Sequence, residues 1–165
     1  MHDFDEIGVP PGADLVWRQR SLESWLRRVL SYQAEGVDVL LLGQSPIGEV
    51  LAAPSAPLLD GLAACVLDVS DAERLHRLDR RDPGKWSPAQ RAAFVHWGRW
   101  HRGHAADPRH HPEVLTSGAW PRMAWDRWDY YEAAWPVPII DTTGRTVDET
   151  SGALRDWIGR GPFGQ

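Results

Sequence analysis

The chain has 165 residues, with 23 acidic side chains against 18 basic ones and a net charge of −5. That balance argues against non-specific binding to nucleic acid or to an anionic membrane surface. The length allows one domain with a real core, expected over 1–160 with 161–165 as a tail. The single cysteine, Cys65, permits no internal disulfide and lies in an apolar run, where it reads as core. No signal peptide and no apolar stretch of bilayer length is found, so the expected compartment is the cytoplasm.

The segment His2-Asp3-Phe4-Asp5-Glu6 sets three carboxylates in four residues. If 1–5 ends a strand, Asp3 and Asp5 share one side and Phe4 takes the other. Two carboxylates so placed suit a hydrated magnesium ion or the deprotonation of a substrate hydroxyl. The alternative is a charged, frayed terminus. After a Gly/Pro loop at 8–12, the pattern predicts a helix over 14–36. Leu22, Trp25/Leu26, Val29/Leu30 and Gln33 form its stripe, and Gly36 follows its end. Arg18, Arg20, Arg27 and Arg28 lie on its other faces, as ordinary surface residues or, for one or two of them, as a grip on an anionic acceptor.

Residues 37–42 read as an apolar strand ending at Gly43-Gln44-Ser45. Ligands of open α/β sheets sit beyond the carboxyl ends of strands, which makes Gln44 and Ser45 candidates for substrate contact. Residues 46–61, with three prolines, read as a loop or a short helical turn. The run 62–69 reads as a strand buried on both faces. Ser70 and Glu73 then open a helix with Leu75 and Leu78 on one side and Arg74, Arg77, Arg80 and Arg81 towards its end. Asp82-Pro83-Gly84 stops it.

Ser87-Pro88 starts a further helix that runs to 106. His101, His104 and Asp107 are spaced i, i+3, i+6 and precede His110-His111. Zinc helices favour i, i+4 pairs, so this set reads as polar and aromatic closure of a cleft rather than a metal site. Arg99, Arg102 and Arg109 flank it, with forks that suit phosphate oxygens. Trp120, Trp125, Trp128, Tyr130, Tyr131 and Trp135 form the densest aromatic stretch, read as core packing over base stacking. Residues 137–141 are a last strand. Thr146 and Glu149 cap a final helix with Leu154, Trp157 and Ile158 on its apolar side.

A phosphate-cradling G-x-x-x-x-G-K-[ST] loop is absent. Lys85 is the sole lysine and follows Pro83-Gly84, with no strand before it and no hydroxyl after it. Gly43 and Gly48 have the right spacing behind a strand, but Glu49 occupies the lysine position and would repel a phosphate. Val50 has no metal-binding atom, and Pro54 and Pro57 stop any long helix. This stretch reads as a strand-to-loop turn.

Four segments in order, HDFDE, VDVLLLGQ, ACVLDVSDAERLHRLDRR and PIIDTTGRTVDETSGALRDWI, resemble nucleotide-kinase-like P-loop NTPases of the shikimate, gluconate and adenylate kinase type. The resemblance implies an α/β fold, a parallel sheet flanked by helices, with a helical lid over about 82–135. It implies Mg2+ and ATP as cofactors and a small-molecule or nucleotide substrate, with no nucleic-acid and no membrane partner. It places Asp3 and Asp5 in the catalytic role and Arg18, Gln44, Ser45, Arg77, Arg80 and Arg81 on substrate or phosphate. In that family the phosphate-loop strand lies between the strands matched here to 37–42 and 62–69. The domain is therefore incomplete: a truncated or mis-started kinase-like product, or a degenerate scaffold that binds without catalysis. The alternative is an unrelated, non-catalytic nucleotide- or partner-binding α/β module. Strands 37–42 and 62–69 are expected to pair directly in parallel, or else to leave the sheet for another chain to complete.

Overall fold

A computed structural model describes residues 1–129 and 135–160. The chain is mixed α/β, and its residues group into two compact units, Met1–Leu62 with His111–Trp135, and Ala63–His110 with Pro136–Gln165. Among the described residues, no helix is long and apolar enough to cross a membrane.

The first unit is built on helix α1, Leu15–Ala34. Asp14 caps it, its Oδ1 accepting from the Trp17 backbone N–H at 2.8 Å. The apolar stripe buries Leu22, Trp25 and Leu26 against Phe4, Ala52, Ala53, Ala56 and Met123. Leu22 is wholly excluded from solvent, a burial that contributes about 1.5–3 kcal/mol. Strand β1, His2–Asp3, pairs in parallel with β2, Leu41–Leu42, in the register His2 to Leu41. The ladder is fastened to α1 by the Trp25 indole N–H, which donates to the Phe4 carbonyl at 2.9 Å. A Cβ on Gly43 would stand 2.6 Å from the Phe4 Cβ, so only glycine fits beside that ring.

The stretch after β2 is helical, as one of the two readings of 46–61 expected, while the reading of 43–50 as a strand-to-loop turn is corrected, since a helix begins at Ile47. Helix α2 covers Ile47–Ala52 and stops at Ala53, because Pro54 disfavours helical backbone before it. Helix α5, Glu113–Thr116, and a 3-10 turn over Trp125–Asp129 complete the unit. The Trp128 indole donates to the Gly48 carbonyl at 2.9 Å, and Trp125 packs on the core cluster. The aromatic stretch thus does pack as core through Trp125 and Trp135, while Tyr130 and Tyr131 lie outside the described residues.

In the second unit β3, Val66–Asp68, pairs in parallel with β4, Ile139–Asp141. Ser70 caps helix α3, Asp71–Arg81, and Ser87 with Gln90 forms a full capping box on α4, Pro88–Ala106. Helix α4 packs on α3 and on β3. The stretch 82–135, expected as a lid, is therefore divided, with α4 in the second unit and 111–135 in the first. Helix α6, Val147–Arg160, opens with the Thr146–Glu149 box. None of its residues is buried, and Ile158 is exposed.

Two strand expectations are corrected. The strands are two and three residues long, not six and eight, and the run 62–69 is not covered on both faces. Leu67 is 45% exposed and Ile139 43%. They lie in adjacent register pairs of the ladder, on opposite faces of it, so both faces of β3–β4 carry uncovered aliphatic surface. The expected direct ladder between 39–42 and 65–68 is also not formed. Among the described residues β2 pairs with β1 and β3 with β4, in two separate two-stranded sheets. A lone parallel pair has too little neighbouring structure to bury its faces.

Candidate functional site at the strand ends

The carboxyl ends of β3 and β4 collect the densest set of ionic side chains in the second unit. Asp68 ends β3, and its backbone carbonyl accepts from the Thr142 N–H and hydroxyl, both at 2.8 Å. The turn into α3 is fastened by the Ser70 N–H donating to the Thr143 hydroxyl at 2.8 Å. Asp68 is only 8% exposed, and each carboxylate oxygen is taken by a different arginine. Arg74 of α3 donates to Oδ1 at 2.7 Å, and Arg102 of α4 donates to Oδ2 at 2.8 Å. Arg102 also reaches Asp71 at 2.9 Å, and Arg99 reaches Asp71 at 2.7 Å. Hydrogen bonds from Arg102 and Arg99 hold the Asp71 carboxyl below the usual carboxylate range. Asp68 and Asp71 in turn raise the Arg102 guanidinium. These forks clamp α3, α4 and the end of β3.

Arg77 is the one arginine of the phosphate set that joins this cluster. It donates to the Thr142 carbonyl at 2.7 Å and hydroxyl at 3.1 Å, and to Glu73 at 2.9 Å. Arg81 turns to Asp82 at 2.8 Å, which lowers that carboxyl. Arg80 is exposed. The three share one face of α3, at i, i+3 and i+4, yet do not converge, because Arg77 is turned to Thr142 and Glu73 and Arg81 to Asp82.

Gly98 permits the cluster's tightest approach. A Cβ there would meet the Arg74 Nη2 at 2.5 Å. Gly98→Ala is expected to push the guanidinium off Asp68 at a cost of about 1–3 kcal/mol, read as a lower midpoint in urea unfolding. An unchanged midpoint would show that Arg74 can move without loss.

In the first unit the pair expected to be catalytic is arranged differently. β1 ends at Asp3, whose carboxylate caps a 3-10 helix, Phe4–Ile7, accepting from the Asp5 N–H at 2.9 Å. Glu6 answers by accepting from the Asp3 N–H at 3.0 Å. Asp3 and Asp5 are thus not two residues on one side of a strand. The spacing that suggested a paired site is the D-x-x-E signature of a capping box.

Arg18 is held by Glu49, the residue in the lysine position of the glycine-spaced turn. Nε and Nη2 of Arg18 meet the two carboxylate oxygens at 3.0 and 2.7 Å. Glu49 is fully buried. Gln19 adds a donor at 3.1 Å, gives its other N–H to the Leu115 carbonyl at 3.0 Å, and accepts from the Trp120 N–H at 2.7 Å. A neighbouring node uses Glu23, which accepts from the Ser55 N–H and hydroxyl and from Arg27. Burial works to raise its pKa, and these hydrogen bonds more than offset it. Gln44 is exposed, while the buried hydroxyl of Ser45 has no hydrogen-bond partner among the described residues.

On α4 the rings of Trp97, Trp100 and His104 stack in series at 5.0 and 4.9 Å, with planes within 11°. His101 meets Trp97 edge-on at 4.5 Å. His104 is 1% exposed, and burial, with His110 nearby, pushes its pKa down to about 4. Among the described residues, no group of three His, Cys, Asp or Glu is placed to hold a metal ion.

The predicted site residues thus divide, with Asp3, Asp5, Arg18, Gln44 and Ser45 in the first unit and Arg77, Arg80 and Arg81 in the second. Asp68, Asp71, Thr142 and Gln19 were missed, and Glu49 was noticed only as the residue in the lysine position. Asp68 and Thr142 at the ends of two apolar strands were the available signal. Comparison with protein-family models, with curated proteins and with solved structures finds no match to this chain.

Proposed function

We propose that this chain is a nucleotide-kinase-like scaffold that does not transfer phosphoryl groups by itself. The observation that carries the reading is the strand pairing. The direct ladder expected between 37–42 and 62–69 is absent, and what supports the reading is the alternative stated with it, in which each segment keeps its outer neighbour and the strand between them is left for another chain. Parallel β1–β2 and parallel β3–β4 are the two pairs that such an order leaves.

Mg·ATP does not fit the residues present. The sequence has no glycine cradle with lysine and hydroxyl. The Asp3 carboxylate is engaged as a helix cap, and the Arg18 fork is closed on Glu49. The purified chain should show no turnover of ATP with magnesium, and turnover abolished by Asp5→Ala would refute the reading.

A second reading, a non-catalytic partner-binding α/β module, is favoured by one further observation. Arg74, Arg77, Arg99 and Arg102 are all engaged by the chain's own acceptors. Weak, salt-sensitive ATP binding lost in Arg80→Ala would favour the kinase-like scaffold. No ATP binding at any salt would favour the partner module.

A further inference from the structure

We propose that the outer face of α1 is a docking surface for an acidic segment of a partner protein. The 20-residue helix carries four arginines and a single acid, Glu23, in a chain whose overall charge is −5. Glu23 is buried and directed to Ser55, and Arg18 is closed on Glu49. What remains outside is Arg20, Ser24, Arg27, Arg28 and Ser31, all exposed, at the spacing of one helical face.

The arginines are held ready. Arg28 lies over the Trp25 ring at 4.9 Å, and Arg20 and Arg122 lie over Trp120 at 5.9 and 5.4 Å. Stacking on an indole restricts the guanidinium and leaves its edge of N–H donors towards solvent, the geometry that grips carboxylates in pairs. Arg27 keeps its guanidinium largely outside although Glu23 takes one N–H. From Arg20 to Arg28 the face spans about 12 Å. That length suits an extended peptide with acids a few residues apart.

Charge complementarity selects this occupant. A polyanion such as duplex DNA would meet the net negative charge of the rest of the chain. The serines between the arginines offer no apolar stripe for insertion into a bilayer. The proposal stands apart from the kinase-like reading, which assigns a phosphate role on this helix to Arg18 alone.

The test is fluorescence anisotropy with a labelled glutamate-rich peptide and the full chain at low salt. Binding should weaken as salt is raised. The triple variant Arg20→Glu/Arg28→Glu/Arg122→Glu should bind at least about tenfold more weakly, and the milder Arg20→Gln/Arg28→Gln/Arg122→Gln about threefold. Both should retain the parent circular dichroism spectrum, since the three side chains are exposed. Arg155→Glu/Arg160→Glu on α6 should leave peptide affinity unchanged. No peptide binding, equal affinity of the parent and both triple variants, or tighter binding to duplex DNA or phosphatidylserine vesicles would each overturn the proposal.

Discussion

Glu49→Ala should destabilise the protein by about 3–5 kcal/mol, the cost of breaking a buried ion pair from one side. The carboxylate is fully buried and accepts three hydrogen bonds, two from Arg18 and one from Gln19. Its removal takes the carboxylate from a guanidinium whose side chain is only 22% exposed, and frees one donor of a buried amide. The loss should spread, because Gln19 also ties the Leu115 carbonyl and the Trp120 N–H to α1. Urea unfolding followed by tryptophan fluorescence reads it. Arg18→Met/Glu49→Leu, which removes both charges, should recover most of the loss, since an apolar pair of similar size is often as stable. A single-variant loss below about 1 kcal/mol would show that water reaches the pair and screens it.

Acid should act next, through His104. In the unfolded chain this imidazole titrates near 6.5, and in the folded chain near 4. Between those values the unfolded state takes up a proton that the folded state refuses. Stability is therefore full above pH 6.5, declines as pH falls towards 4, and levels below, a loss of up to about 3 kcal/mol. Carboxylates with lowered pKa, Asp71 and Glu23 among them, lose their contribution at the lower end of this range and beneath it. His104→Gln separates the two. Its stability should change little between pH 6.5 and 5, whatever its absolute value. A slope there equal to that of the parent would assign the acid sensitivity to other groups.

The helices were legible because their signals are local. Asp14, Ser70, Ser87 and Thr146 each cap the helix that follows, and the Leu22–Trp25–Leu26 stripe is buried. The strands were not, because burial of a strand depends on neighbours supplied from elsewhere in the chain. The apolar run 62–69 promised cover on both faces, yet Leu67 stays exposed, and among the described residues β4 is the one strand beside β3. The site was half legible for the same reason. Arg18 and Glu49 were each singled out, but their pairing spans 31 residues and no local pattern announces it. Asp3 and Asp5 were noticed as carboxylates, while the Glu6 that makes them a cap was read only as added charge.

The kinase-like scaffold rests on which strands are neighbours, and backbone nuclear Overhauser contacts in the isotope-labelled chain measure that directly. Contacts are expected between His2–Asp3 and Leu41–Leu42 and between Val66–Asp68 and Ile139–Asp141, with none joining Leu41–Leu42 to Val66–Asp68. Contacts that place Leu41–Leu42 directly beside Val66–Asp68 would contradict it.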